Sequence, residues 1–288
     1  MRSIRLAAVA AAVIAVLLTL AACGSSGSGS SDTVAKNCTP KYDVTTHNRG
    51  TLTVAAIQYP PYSEVRPGSN EVGGIDGAVI TKFARDACLD VKVITTTFAA
   101  AVSSVTSGRA DVALGSIYRT AARAKEVGLS DPIYLDQLGI VSKDGFDTIK
   151  AMEGHKVATV QGYYFQHDVQ KVFGDDLKLF PSNVNMFQDL VAGRTEAGLD
   201  SYAAAVAYFR SRGIDDFQVK VPPVDARVPA TGAHAAQTTF LYDKSASDLG
   251  DGINRFLATE RKAGTLGDLL EGQGLPRSAA DVGAPRLL

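Results

Sequence analysis

The chain has 288 residues, a length that suits about two domains of roughly 150 residues each. With 45% apolar and 20% charged residues it has globular composition, which excludes wholesale disorder, a collagen-like fibre and a multi-span membrane protein. A formal net charge of -1 lacks the basic footprint of a nucleic-acid binder, and three cysteines are too few for a disulfide scaffold.

The first segment reads as a targeting signal. Arg2 and Arg5 precede an uncharged stretch from Leu6 to Ala22 that ends in Leu20-Ala21-Ala22-Cys23-Gly24, which is a cationic n-region, an apolar h-region and small residues before a cysteine. About 17 residues is the short limit for a membrane span, and no basic stop-transfer cluster follows. The Leu-Ala-Ala-Cys ending resembles a bacterial lipobox, which implies a signal peptide over 1–22, cleavage before Cys23, and a lipid on that cysteine holding the protein on the extracytoplasmic face of the cell membrane. Gly24 to Ser31 contains only Gly and Ser, a flexible tether inside an N-terminal extension over 23–48. Removing Arg2 and Arg5 from the 29 basic residues leaves 27 against 30 acidic ones, a charge of -3 that suits nucleic acid still less. Cys38 and Cys88 remain as an even pair in an oxidising compartment, a candidate disulfide, with two independent buried thiols as the alternative.

The body repeats one plan. Val54-Ala55-Ala56-Ile57-Gln58 is echoed by Val157-Ala158-Thr159-Val160-Gln161, each a short buried strand running into an aromatic loop: Tyr59-Pro60-Pro61-Tyr62 first, Gly162-Tyr163-Tyr164-Phe165 second. Ser107-Gly108-Arg109-Ala110-Asp111, leading to Ser116, is echoed by Ala192-Gly193-Arg194-Thr195-Glu196, leading to Ser201. Each follows an apolar helical stretch, 98–106 and 184–191, and in each the glycine suits a helix end. The first copy holds an extra helix over 76–87, with Ala78, Ile80, Phe83, Ala84 and Ala87 on one stripe and Asp76 as N-cap. Strand, helix, strand in both copies predicts two α/β lobes with mainly parallel sheets. Ligands sit at the carboxyl ends of such strands, here Tyr59, Ser116, Gly162 and Ser201, around one cleft. Chance matching in Ala- and Gly-rich sequence is the alternative, and two echoes in one order count against it.

Gly50-Thr51-Leu52-Thr53-Val54, Tyr59-Pro60-Pro61-Tyr62, Gly74-Ile75-Asp76, Ser107 to Asp111, Thr120-Ala121-Ala122-Arg123, Leu129-Ser130-Asp131-Pro132-Ile133-Tyr134, Ala192-Gly193-Arg194 and Ala263-Gly264-Thr265-Leu266 run in order over about residues 49–275. In that order they resemble the amino-acid-binding proteins of bacterial ABC importers, the family 3 solute-binding proteins. The Thr-x-x-Arg followed at fixed distance by Ser-Asp-Pro is the most specific part. The resemblance implies a two-lobed, periplasmic-binding-protein-like (Venus flytrap) α/β fold with a double-crossover hinge, the crossings near 135–140 and 232–238. Lobe 1 then covers 49–137, lobe 2 covers 138–232, and 233–288 returns to lobe 1. It also implies a monomeric binding protein, not an enzyme, without cofactor. Such a protein captures a small zwitterion, foremost a polar amino acid, by closing, and presents it to an ABC permease with a cytoplasmic ATPase.

Arg123 stands at a predicted helix start, where backbone N–H groups and the dipole favour an anion. Its guanidinium can grip a carboxylate bidentately. The resemblance gives it the ligand's α-carboxylate, helped by Ser116 and Tyr118; a surface arginine beside Lys125 and Glu126 is the plain alternative. Tyr59 and Phe98 fall where the family sets rings against the ligand, or else they only pack the Pro-Pro turn and a helix core.

The second lobe departs from the pattern. The family's ammonium-binding aspartate aligns with Ser201, whereas the aspartate here is Asp200, one place earlier and on the opposite face of a strand unless the strand has ended or bulges. Ala56 stands where many members carry an acidic group, and Tyr163 and Tyr164 where small hydroxyl residues usually follow the glycine. Rings in place of polarity suit a betaine-like or cyclic zwitterion as an alternative ligand, while an alignment offset by one would let Asp200 do the aspartate's work. Two other classes share the fold, a ligand-sensing lipoprotein of a signalling system and an enzyme such as a dehydratase. His47, His155, His167 and His234 show no metal-ligand spacing, so no metal site is expected.

Overall fold

The computed structural model describes residues 37–66, 68–232 and 234–288; the expected signal peptide, the lipidated Cys23 and the Gly/Ser tether lie outside the described residues. The first half builds β1 (Thr51–Ile57), a hairpin of β2 (Glu64–Val65) and β3 (Val72–Gly73), α1 (Gly74–Asp86), β4 (Asp90–Thr96), α2 (Ala101–Thr106), β5 (Val112–Tyr118), α3 (Ala121–Glu126), β6 (Gly128–Leu129) and β7 (Leu135–Asp136). There follow β8 (Leu138–Ser142), β9 (Val157–Val160), α4 (Gln166–Phe173), β10 (Leu177–Phe180), α5 (Asn183–Val191), β11 (Ala197–Ser201), α6 (Tyr202–Ser211) and β12 (Gln218–Lys220). The chain closes with β13 (Ala236–Tyr242), α7 (Ser247–Ala263) and α8 (Thr265–Gly272).

Two sheets organise these elements, in the orders β4-β1-β5-β13-β6 and β10-β9-β11-β8-β12, with β7 also paired to β13. They are two copies of one arrangement. β1 runs parallel to β4 and β5, as β9 does to β10 and β11. From Leu52 to Ile57 every residue of β1 is buried, and so is all of β9; apart from Thr53 and Thr159 both are apolar, as in central strands covered on both faces.

The sheets are mixed rather than mainly parallel, because β13 is antiparallel to β5 and β8 is antiparallel to β11. The reason is topological. The chain leaves the first sheet with β7 and enters the second with β8, passing through Gln137, and it returns from β12 to β13. Each incoming strand begins near the carboxyl end of the strand it joins, Leu138 opposite Ser201 of β11 and Thr238 opposite Tyr118 of β5. It can therefore only run backwards along that neighbour.

Helix α1 starts earlier than its composition suggests. Gly74 has φ 76°, and a Cβ there would lie 2.6 Å from the Tyr62 carbonyl oxygen, so only glycine opens this helix. Asp76 is consequently not the N-cap but a buried first-turn residue. Its Oδ2 accepts from the N–H groups of Gly115 and Ser116, at 3.0 and 2.8 Å, and its Oδ1 accepts from Tyr134 Oη at 2.8 Å. It thereby holds Ser116 at φ 53°, a left-handed conformation that a non-glycine residue adopts only when its surroundings impose it. The 98–106 stretch divides into a 3₁₀ turn at Phe98–Ala100 followed by α2. Cys38 and Cys88 form a disulfide with Cα atoms 5.7 Å apart. No helix among the described residues is long and apolar enough to cross a membrane.

Candidate functional site: a closed aromatic cleft

The carboxyl ends of the two sheets face each other across a cavity. The first lobe lines it with Tyr59, Phe98, Ser116, Tyr118 and Arg123, and the second with Tyr163, Tyr164, Phe165 and Ser201. Eight of these were singled out from sequence; Phe165 was not, although it directly follows the tyrosine pair. The cavity holds about 20 Å³, room for roughly one water and too little for an amino-acid-sized molecule in this arrangement of the lobes.

Arg123 is fixed by α3. Thr120 caps that helix, its Oγ1 accepting the Arg123 N–H at 3.2 Å, and the guanidinium Nη1 donates to the Tyr118 carbonyl at 2.8 Å. No carboxylate among the described residues pairs with it. Burial pushes its pKa down to about 10, which leaves it cationic at neutral pH. It is not the surface arginine that its charged neighbours Lys125 and Glu126 suggest.

Asp200 and Ser201 both meet the first lobe, in different ways. β11 pairs regularly with β8 to its last residue, so the two side chains take opposite faces as alternation requires. At the strand's carboxyl end each face still abuts the other lobe. Asp200 is fully buried behind the cavity wall, its Oδ1 accepting from Tyr59 Oη and Tyr163 Oη at 2.5 Å each and from the Ser201 N–H at 2.8 Å. Ser201 lines the cavity, caps α6 by accepting the Ala204 N–H at 3.2 Å, and donates from Oγ to Asp136 Oδ1 at 2.8 Å.

Besides Phe165, sequence reasoning missed Asp136. Besides Ser201 it accepts from Ser116 Oγ at 3.2 Å and Tyr118 Oη at 2.8 Å through Oδ2, so it ties both lobes together beside the crossing at Gln137. The one signal was an acidic residue inside the segment expected to be a hinge. Among the described residues no group of three or more His, Cys, Asp or Glu could hold a metal.

Burial dominates the electrostatics here. It raises Asp200 to about 6, against the Tyr163 and Tyr59 hydrogen bonds that pull it down, raises Asp76 to about 6, and raises Asp136. A carboxyl that holds its proton more tightly folded than unfolded contributes stability that is complete below its unfolded pKa, near 3.9, and is lost as pH rises through its folded value. The ligand-free protein should therefore resist urea better at pH 5 than at pH 7.5, by on the order of 1 kcal/mol for each of Asp76 and Asp200. Below about pH 4 the trend reverses, as carboxyls held low by cationic partners, Asp86 and Asp189 among them, take up protons. A higher urea midpoint at pH 7.5 than at pH 5 would contradict the assignment.

Residues 52–272 match the family described as bacterial extracellular solute-binding proteins, family 3. The chain belongs to that family. Among curated relatives, the arginine-binding extracellular protein ArtP of Bacillus subtilis (strain 168) is 29% identical over 257 residues, covering 87% of this chain and 91% of its own. The L-cystine-binding protein TcyJ of Escherichia coli (strain K12) is 25% identical, covering 77% and 82%. Among solved structures, an ancestral arginine-binding protein bound to arginine superposes with a TM-score of 0.69 at 25% identity, covering 79% of this chain and 99% of that one. These relatives are named as binding proteins, and the two-lobed fold of this family 3 chain is that of the solved structure.

Proposed function

We propose that this family 3 protein captures a small zwitterion of the amino-acid class between its lobes, with the ligand's carboxylate on Arg123. As a monomer lipid-anchored on the extracytoplasmic face of the cell membrane, it then delivers the ligand to an ABC permease with a cytoplasmic ATPase. The observation that carries the reading is Arg123 itself, a half-buried cation lining the cleft whose guanidinium, among the described residues, bonds one backbone carbonyl and no carboxylate. A cation drawn partly out of water gains from an anionic partner, and a ligand carboxylate at this place completes the guanidinium's fork.

Closure is the second half of the reading. Gly162, at φ 86° in the second lobe, packs so tightly on the first that a Cβ would lie 2.4 Å from the Ala99 nitrogen. The left-handed backbone costs alanine roughly 1–2 kcal/mol whether the lobes are open or shut, but the collision exists only when they are shut. Gly162→Ala should therefore lower affinity at least tenfold, about 1.4 kcal/mol, because a ligand that spans both lobes loses the state it selects. Calorimetry against the best ligand from a thermal-shift screen of zwitterions measures this, and small-angle scattering of the saturated variant should show a larger radius. Unchanged affinity would refute the closure mechanism, and a screen in which no zwitterion raises the Tm would refute the whole reading.

A further inference from the structure

Resting on the placement of the ligand's carboxylate at Arg123, we propose that the ligand's other end is an N-alkylated cation, a quaternary ammonium held by ring faces. Tyr59, Phe98 and Tyr163 stand nearly perpendicular in every pair: 87° at 5.1 Å for Tyr59 with Phe98, 86° at 4.8 Å for Phe98 with Tyr163, and 74° at 6.4 Å for Tyr59 with Tyr163. Three mutually perpendicular planes at one cavity make the corner of a box, and Tyr164 and Phe165, crossed at 82°, line the same space. Ring faces attract a cation without requiring it to donate hydrogen bonds.

The polar groups around this box favour the same ligand. No carboxylate, carboxamide or imidazole side chain lines the cavity. The two nearby carboxylates stand outside the lining, Asp200 held at Oδ1 by the hydroxyls of Tyr59 and Tyr163 with its Oδ2 buried, and Asp136 held by those of Ser116, Tyr118 and Ser201. Their negative charge reaches the cavity as a field, but a ligand N–H finds no anionic side-chain acceptor there. A primary ammonium carries three donors, and each one taken out of water without a good acceptor is a loss. An alkylated ammonium has no such donors, keeps the charge that the carboxylates and rings attract, and buries methyl groups against the rings.

Titration calorimetry of the full chain with matched pairs tests this: glycine against N,N,N-trimethylglycine, and proline against N,N-dimethylproline. The alkylated member of each pair should bind at least tenfold more tightly, and Phe98→Leu, which keeps an apolar side chain but removes a ring, should cut that preference to under threefold while both members still bind. If that variant does not fold, the wild-type ratios alone decide. Parent amino acids binding as tightly as their alkylated forms, or arginine, histidine or glutamine outbinding both, would overturn the inference and leave the carboxylate on Arg123 standing. Binding of none of these compounds would overturn both.

Discussion

Arg123→Ala is expected to weaken ligand binding by between about thirtyfold and several thousandfold while leaving the Tm of the ligand-free protein unchanged or slightly raised. Truncating one partner of a buried, hydrogen-bonded charge pair costs roughly 2–5 kcal/mol, because the partner charge stays buried and unpaired. On the proposed placement that partner is the ligand's carboxylate, so the whole cost falls on binding. The free protein loses the Nη1 bond to the Tyr118 carbonyl, and it is relieved of a half-buried charge that no carboxylate among the described residues pairs. The Thr120 cap survives, since it uses the backbone N–H of residue 123. Arg123→Lys should fall between, keeping the charge but losing the planar fork. The pairing of a large affinity loss with an intact Tm is the test: a Tm several degrees lower with unchanged affinity would make Arg123 a structural residue.

The features legible in the sequence were those written locally. Two buried strands with the same run of small and β-branched residues, β1 and β9, and two helix-Gly-strand junctions ahead of β5 and β11 exposed the duplication. Because loops at the carboxyl ends of parallel strands converge, that reading brought Tyr59, Ser116 and Ser201 to one cleft, and the family resemblance added Phe98, Tyr118, Arg123, Tyr163 and Tyr164, all of which line the cavity. What stayed hidden depends on partners distant in sequence. Asp136 owes its role to Ser116, Tyr118 and Ser201, the last 65 residues away, and no periodicity marks such a bond. The neighbours of Arg123 read as a solvated surface because the tyrosine that helps bury it, Tyr164, belongs to the other lobe. Asp200 and Ser201 looked like alternatives because strand alternation was applied to one sheet, whereas both lie at an edge where a second lobe covers either face.

Removing the Cys38–Cys88 disulfide should cost the most stability of any single change considered, and should leave ligand affinity untouched. The bond closes a loop with a sequence separation of 50, and the entropy that such a cross-link withholds from the unfolded chain is about 4 kcal/mol. For a body of this size that corresponds to a Tm lower by roughly 8–16 °C. The folded state need not change, because other contacts hold the segment ahead of β1 in place. Lys41 bonds Asp86 through its backbone N–H and pairs with it through its side chain, Tyr42 packs its ring 5.9 Å from Phe83 and 6.0 Å from Phe256, and the N–H groups of Thr45 and His47 donate to Asp248 and Asp111. None of these residues lines the cavity. Scanning calorimetry of the Cys38→Ser/Cys88→Ser variant beside titration calorimetry with its ligand separates the two quantities. A Tm within 2 °C of the parent would show that the unfolded chain is already restrained without the bond, and a fall in affinity would mean that the disulfide shapes the cleft as well as the unfolded chain.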